Sequence, residues 1–436
     1  MKRFLVMIVG IWLVRAAVAQ TWTLRQCIDY ALAHNIGIKQ AENQCRQQEL
    51  QLSTARNARL PNLDASVGEN FSFGRGLTAE NTYTNTNTNS TSFSLGTSIP
   101  LFTGFQIPNA IQLNRLNLEA ATMDLAKAKD DIRMQVAQAY VEVLYDMEIS
   151  DVARRQIGID SLQVARLQAL LEVGKASEAE VSQQRATLAQ SQLTATQADN
   201  QQRLALLALT QLLELTSPDG FSIVRPTTAV TVIVPPLPDA VFQEALAVKP
   251  QVQAEQLRLQ GTEHSIRIAE AALYPQLSLS GGLGTNYYKT GGLPADAFGT
   301  QLKNNFSQYV GISLNIPIFN RFQTRNNVRS ARLSQENQQL QLSSVRKQLY
   351  KEIQQVYYNV IAAGARLQSS EAAERAGSDA FTLMQAKYEN GKANLTEFNE
   401  AKNSYLRAAS ELVQARYEYL YQCSLLDFYR GRELNF

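Results

Sequence analysis

Val173-Gly174-Lys175-Ala176 returns as Asn390-Gly391-Lys392-Ala393, its residue numbers raised by 217. The same shift carries Ile99-Pro100-Leu101-Phe102 onto Ile316-Pro317-Ile318-Phe319, and Gln138-Ala139-Tyr140 onto Gln355-Val356-Tyr357. Leu60-Pro61-Asn62-Leu63 reappears as Tyr274-Pro275-Gln276-Leu277, shifted by 214. Landmarks that hold their order over so long a period indicate a tandem duplication rather than a short solenoid repeat. Each copy reads helix, strand, polar loop, strand, very long helix, Gly turn, long helix. The expected first repeat covers 20–215 and the second 239–436, joined by a proline-rich linker at 216–238. Within that linker Val230–Val234 has the composition of a short strand.

The strand pairs show a period of two. In 62–73 the odd positions are Leu63, Ala65, Val67, Glu69, Phe71 and Phe73, and the even ones are small or polar. The segments at about 91–101, 276–288 and 306–318 alternate in the same way. An apolar face opposite a small polar face, over about ten residues, fits a transmembrane β-strand. Asn81–Ser90 and Lys289–Asn305 are polar and are expected as loops in water at a barrel mouth. Four strands cannot close a barrel, and an open edge in lipid leaves backbone groups unpaired. Several chains must therefore pool their strands.

After each strand pair comes a long helical pattern. From Phe105 to Glu172 the only early breaker is Pro108, close to the helix start where proline is tolerated; unbroken, the run would extend ~100 Å. Leu118, Ala121, Leu125, Ala128 and Ile132 follow coiled-coil spacing, as do Leu342, Val345, Leu349, Ile353, Val356 and Val360. Gln183–Gln202 holds seven glutamines among Ser, Thr and Ala, a polar and sparsely charged face suited to a wetted wall. The fold class expected is mainly α, with long antiparallel helices and a transmembrane β-barrel portion.

Residues 1–19 read as a signal peptide: Lys2-Arg3, an apolar run Leu5–Val14, and Ala17-Val18-Ala19 before Gln20. The chain carries a formal +2, and loss of Lys2, Arg3 and Arg15 leaves about −1, with no basic footprint for nucleic acid. His34 and His264 are the only histidines, which argues against a His-based metal site or a His-dependent triad. G-x-S-x-G and phosphate-binding loops are absent, so neither an enzyme nor a cofactor is expected. Cys27, Cys45 and Cys423 are an odd set for a disulfide framework. On one continuous helix Cys27 and Cys45 would stand ~27 Å apart, too far to bridge.

In the order and repetition of these motifs the chain resembles the TolC-like family of bacterial outer-membrane efflux and secretion channels. The features that carry the resemblance are the tandem halves, Leu60-Pro61 and Tyr274-Pro275, Pro100-Leu101-Phe102-x-Gly104 and Pro317-Ile318-Phe319, and the turns at Gly174 and Gly391. It implies a homotrimer with a 12-stranded barrel in the outer membrane and a 12-helix tunnel across the periplasm. It also implies a periplasmic adaptor protein and an inner-membrane RND or ABC transporter as partners. The implied function is a passive exit duct for efflux or type I secretion; the competing reading is a periplasmic coiled-coil scaffold without a pore. The resemblance further implies adaptor docking at the tip turns Gly174-Lys175 and Gly391-Lys392. Glu397, Glu400 and Glu180 match acidic positions at the narrow entrance, and Tyr388 matches a gating contact. Two departures stand out. Ala393 replaces the family's gating arginine, with Lys392 beside it, and Asn320-Arg321 stands where the first copy has Thr103-Gly104.

Overall fold

The computed structural model describes residues 20–77, 81–226 and 230–434; the expected signal peptide lies outside them. The first half runs β1 (Gln20–Trp22), α1 (Leu24–His34), α2 (Ile36–Asn57), β2 (Asn62–Leu77), β3 (Tyr83–Thr103), α3 (Gln106–Glu172), α4 (Glu178–Leu212) and β4 (Phe221–Ile223). The second runs α5 (Pro238–Val248), α6 (Pro250–Ala271), β5 (Gln276–Thr290), α7 (Phe298–Asn304), β6 (Ser307–Asn315), α8 (Gln323–Glu389) and α9 (Leu395–Tyr429). Corresponding helices have equal lengths. α1 and α5 have 11 residues each, α2 and α6 22, α3 and α8 67, and α4 and α9 35.

The chain divides into two units. One (43–124 and 251–345) holds an antiparallel sheet in the order β2-β3-β5-β6. Leu63, Val67 and Phe71 on β2, and Val310, Ile312 and Leu314 on β6, are 58–82% exposed, so both outer strands present apolar side chains without a covering layer. Glu69, the one break in the β2 apolar face, accepts a hydrogen bond from Thr91 directly across the ladder.

Several expected boundaries move. Asn81–Ser90 is not a loop: β3 begins at Tyr83 and pairs residue for residue with β2 out to Leu77. Threonines suit a strand, and a backbone ladder continues wherever both chains remain extended, whatever the polarity of its side chains. The expected loop 289–305 begins inside β5 and contains α7, held by Gln301, whose side chain accepts from Tyr288 N–H at 2.9 Å and donates to Tyr288 C=O at 3.0 Å. β6 stops at Asn315 rather than 318, because Pro317 lacks a donor for the ladder. Pro100 remains inside β3 because the register shifts beside it, between Pro100 and Phe102.

Both strand-to-helix turns use left-handed backbone. Gly104 and Phe105 have φ of 60° and 65°, and Arg321 and Phe322 have 56° and 62°. The departure at Asn320-Arg321 thus leaves the pair of left-handed residues in place.

The other unit (20–42, 125–250 and 346–434 of the described chain) packs α1 against α3 and α4. Thr23 starts α1 with a capping box, accepting from Gln26 N–H while the Gln26 side chain accepts from Thr23 N–H. Leu24, Cys27 and Ala31 then bury against Val136, Tyr140, Val143, Leu209 and Leu213. Tyr140 donates to Val224 C=O at 2.7 Å, next to the parallel pair β1–β4. This pair, and not Val230–Val234, is the small sheet flanking the linker. Residues 230–234 form no strand, and Ile233 N–H donates instead to the Tyr419 hydroxyl at 2.8 Å. Cys27 and Cys45 lie on separate helices, and all three thiols are free.

The expected α8 seam is buried at Leu342, Leu349, Ile353, Val356 and Val360. On α3 the seam from Leu118 to Ile132 is only half-buried within one chain, and complete burial sets in from Val136.

Candidate functional site

The two long hairpins end in the same local design. At Gly174 (φ 70°) the N–H groups of Gly174 and Lys175 bond to the carbonyls of Leu171 and Leu170 at 2.9 and 2.8 Å. At Gly391 (φ 70°) Gly391 and Lys392 bond to Tyr388 and Lys387 at 3.1 and 2.9 Å. Both are Schellman closures, which need a residue in the left-handed region and favour glycine. Three residues further on, each returning helix opens with a capping box, Ser177 with Glu180 and Asn394 with Glu397.

These boxes give two of the candidate entrance acids a local duty. Glu180 Oε2 accepts from Ser177 N–H at 2.8 Å and from the Ser177 hydroxyl at 2.9 Å, which holds its carboxyl below the usual range. Glu397 Oε2 accepts from Asn394 N–H at 3.0 Å. Glu400 is exposed one turn beyond Glu397, and Lys175 and Lys392 are exposed on the turns themselves.

Tyr388 is half-buried and stacks on the buried ring of Phe398, with centroids 5.0 Å apart. Arg166 on α3 places its guanidinium 5.1 Å from the ring centroid and donates to Glu389 C=O at 3.0 Å. Burial raises the Tyr388 hydroxyl above its ordinary value, while Arg166 opposes the shift. The second hairpin is thus clasped to the first by an arginine that sequence reading missed.

A second missed feature is a polar network in the same hairpins. Asp160 (α3) and Lys402 (α9) form an ion pair with both side chains 0% exposed. Ser191 donates to Asp160 Oδ2 at 2.5 Å, Gln184 donates to Oδ1 at 3.2 Å, and Asn399 donates to Gln184 Oε1 at 3.3 Å. The clue in the sequence was position. Asp160 shares a helical stripe with Val164 and Leu167, and Lys402 lies between Phe398 and Leu406, all of them buried. Among the described residues no group of three or more His, Cys, Asp or Glu is arranged to hold a metal ion.

Known proteins share this architecture. Brucella suis outer membrane efflux protein BepC is 22% identical over 407 residues, spanning 91% of this chain and 82% of the relative. The Campylobacter jejuni CmeC outer membrane channel superposes with a TM-score of 0.78 at 19% identity, covering 95% of this chain and 87% of that one. The Vibrio cholerae outer membrane protein VceC gives 0.75 at 19% identity, covering 94% and 97%. The profile described as "Outer membrane efflux protein" matches twice, at residues 27–214 and 241–431. Both matches coincide with the two halves of the fold, and the chain belongs to the outer membrane efflux protein family.

Proposed function

We propose that this outer-membrane efflux channel works as a passive exit duct assembled from three copies of the chain. The observation that carries the reading is the sheet β2-β3-β5-β6, whose two end strands each have an outer edge with no strand beside it among the described residues and carry exposed apolar side chains. Lipid does not tolerate such edges, so β6 of one chain pairs with β2 of the next, and three sheets close a 12-stranded barrel. The equal helix lengths in the two halves support a tandem duplication, and the pooled hairpins supply the periplasmic tunnel.

The family is one of channels rather than enzymes, so transport energy comes from an inner-membrane RND or ABC transporter coupled through a periplasmic adaptor. The adaptor docks at the hairpin tips around Gly174-Lys175 and Gly391-Lys392. Glu400, with Glu397 and Glu180, lines the entrance, and Tyr388 with Arg166 contributes to its closure.

The test is the mass of the protein extracted with detergent. A trimer is expected. A monomer in detergent, or release in soluble form by osmotic shock, would overturn the duct reading and leave a periplasmic scaffold.

A further inference from the structure

The helical unit contains a cavity of about 470 Å³, walled by α1, α3, the α5–α6 junction and the segment after α9. At its wall Lys249 is only 8% exposed, with its ammonium 3.7 Å from the Phe428 ring centroid and 3.4 Å from Asp130 Oδ2. Asp130 is shared, since its Oδ1 also accepts from Arg133 at 2.8 Å. One carboxylate therefore serves two cations, and its contact with the buried one is long.

The rest of the wall does not correct the imbalance. Five cationic side chains line the cavity against three carboxylates. Arg432 is matched by Asp427 from outside the cavity at 2.9 Å, and Glu433 stands 4.0 Å from Arg25. Burying an ammonium is costly unless it is well paired, and burial does depress the proton affinity of Lys249 despite Asp130. Ile28, Leu32 and Phe428 make the remaining surface apolar. A volume of this size with apolar walls and a few convergent polar groups suits a small organic ligand.

We propose that this cavity binds a small amphiphilic anion, a carboxylate or phosphate monoester on a compact apolar body, with Lys249 as its charge partner. The head group supplies an anionic partner for Lys249 beside the Asp130 carboxylate that it shares with Arg133, and the body covers the Phe428 and Leu32 surface. The site lies within one chain and is separate from the hairpin tips.

Calorimetric titration of the detergent-solubilised full-length protein tests this with phenyl phosphate, 3-phenylpropionate, phenethyl alcohol and inorganic phosphate. Saturable binding of the two aromatic anions is expected, with the alcohol and inorganic phosphate each about tenfold weaker or worse. Lys249→Met should weaken the anions at least about tenfold, while Lys249→Arg retains them. Ala126→Phe, which fills the cavity without touching the charge, should abolish binding, and circular dichroism checks that each variant folds. No binding of either anion at millimolar concentration would overturn the proposal. So would equal binding of anion and alcohol, or unchanged binding in a folded Lys249→Met or Ala126→Phe protein.

Discussion

Asp160 and Lys402, a fully buried ion pair, make the helical unit sensitive to a single substitution. Lys402→Met leaves an unpaired carboxylate at a site with no solvent, and loss of one partner from a buried pair costs about 3–5 kcal/mol. Asp160→Asn added to Lys402→Met removes that charge, while the amide oxygen still accepts from Gln184 and the amide NH2 donates to the Ser191 hydroxyl, which turns to accept. Thermal unfolding should show a large loss for Lys402→Met and recovery of most of it in the double variant. An equal loss in both would mean that packing, not charge, holds the site. Asp146 behaves differently. It is 5% exposed and its Oδ2 has no hydrogen-bond partner among the described residues, and burial, reinforced by Glu142 one turn away, pushes its carboxyl up to about 6 from an ordinary 3.8. Because the folded value is raised, the folded chain retains a proton that the unfolded chain has already released. This group's contribution is therefore greatest below the unfolded value and is lost as pH rises through about 6. Asp146→Asn should flatten the pH dependence of the melting temperature across that window and stabilise the protein at neutral pH by about 1–3 kcal/mol. An unchanged profile would place the titration elsewhere. Not every conspicuous position is sensitive. A Cβ at Gly104 would fall 2.8 Å from the Tyr274 Cβ, whereas the matching Arg321 occupies the same left-handed region. The turn demands a backbone conformation at both places, but close approach requires glycine only at the first.

At the scale of elements, the hairpin tips join a turn that demands glycine to open space around it. Gly174 and Gly391 both have φ of 70°, and an added Cβ would meet nothing within 4 Å at either. A valine there opposes the left-handed backbone at about 1–2 kcal/mol and clashes with nothing in the chain. Gly174→Val and Gly391→Val should therefore still assemble, while transport falls because the proposed docking surface is altered. Efflux measured in cells beside trimer content checks this; loss of trimers would make the turns structural. The helices and their caps were legible in the sequence, since Ser177-x-x-Glu180 and Asn394-x-x-Glu397 are capping-box patterns. Reading those glutamates only as entrance acids passed over that local duty. The strand limits were less legible. Polarity separated Asn81–Ser90 from its neighbours, but hydrogen-bonded pairing with β2 determines where β3 begins.

For the whole molecule, threefold assembly would turn Glu397 and Glu400 into six carboxylates around one entrance. Residues at i and i+3 share a helix face. A cation ~7 Å from each would gain about 0.6 kcal/mol per charge in water-like dielectric, roughly 3.5 in all. Screening over a Debye length of ~8 Å reduces this to about 1–2 kcal/mol, enough for several-fold cation selectivity even with Lys392 nearby. Bilayer conductance under a salt gradient should show a cation-selective reversal potential that collapses in Glu397→Gln/Glu400→Gln. Identical reversal potentials in the two proteins would place these side chains away from the pore.

The architecture was legible because its determinants are local and periodic. Alternation at two marks the strands, spacing at three and four marks the helices, and recurrence at 217 marks the halves. Each can be read within a short window or between two copies of one. Arg166 on Tyr388 and Asp160 with Lys402 were not legible in this way. Their partners stand 222 and 242 residues apart in sequence. Whether an arginine on α3 meets a tyrosine on α8, or an aspartate meets a lysine on α9, depends on the axial register of helices 35 to 67 residues long. A slip of one residue turns a side chain by about 100° around the helix and breaks such a pair while leaving every local pattern intact. The sequence by itself determined the long helices, the paired strands and their order; tertiary packing alone set the register that brings these charges together.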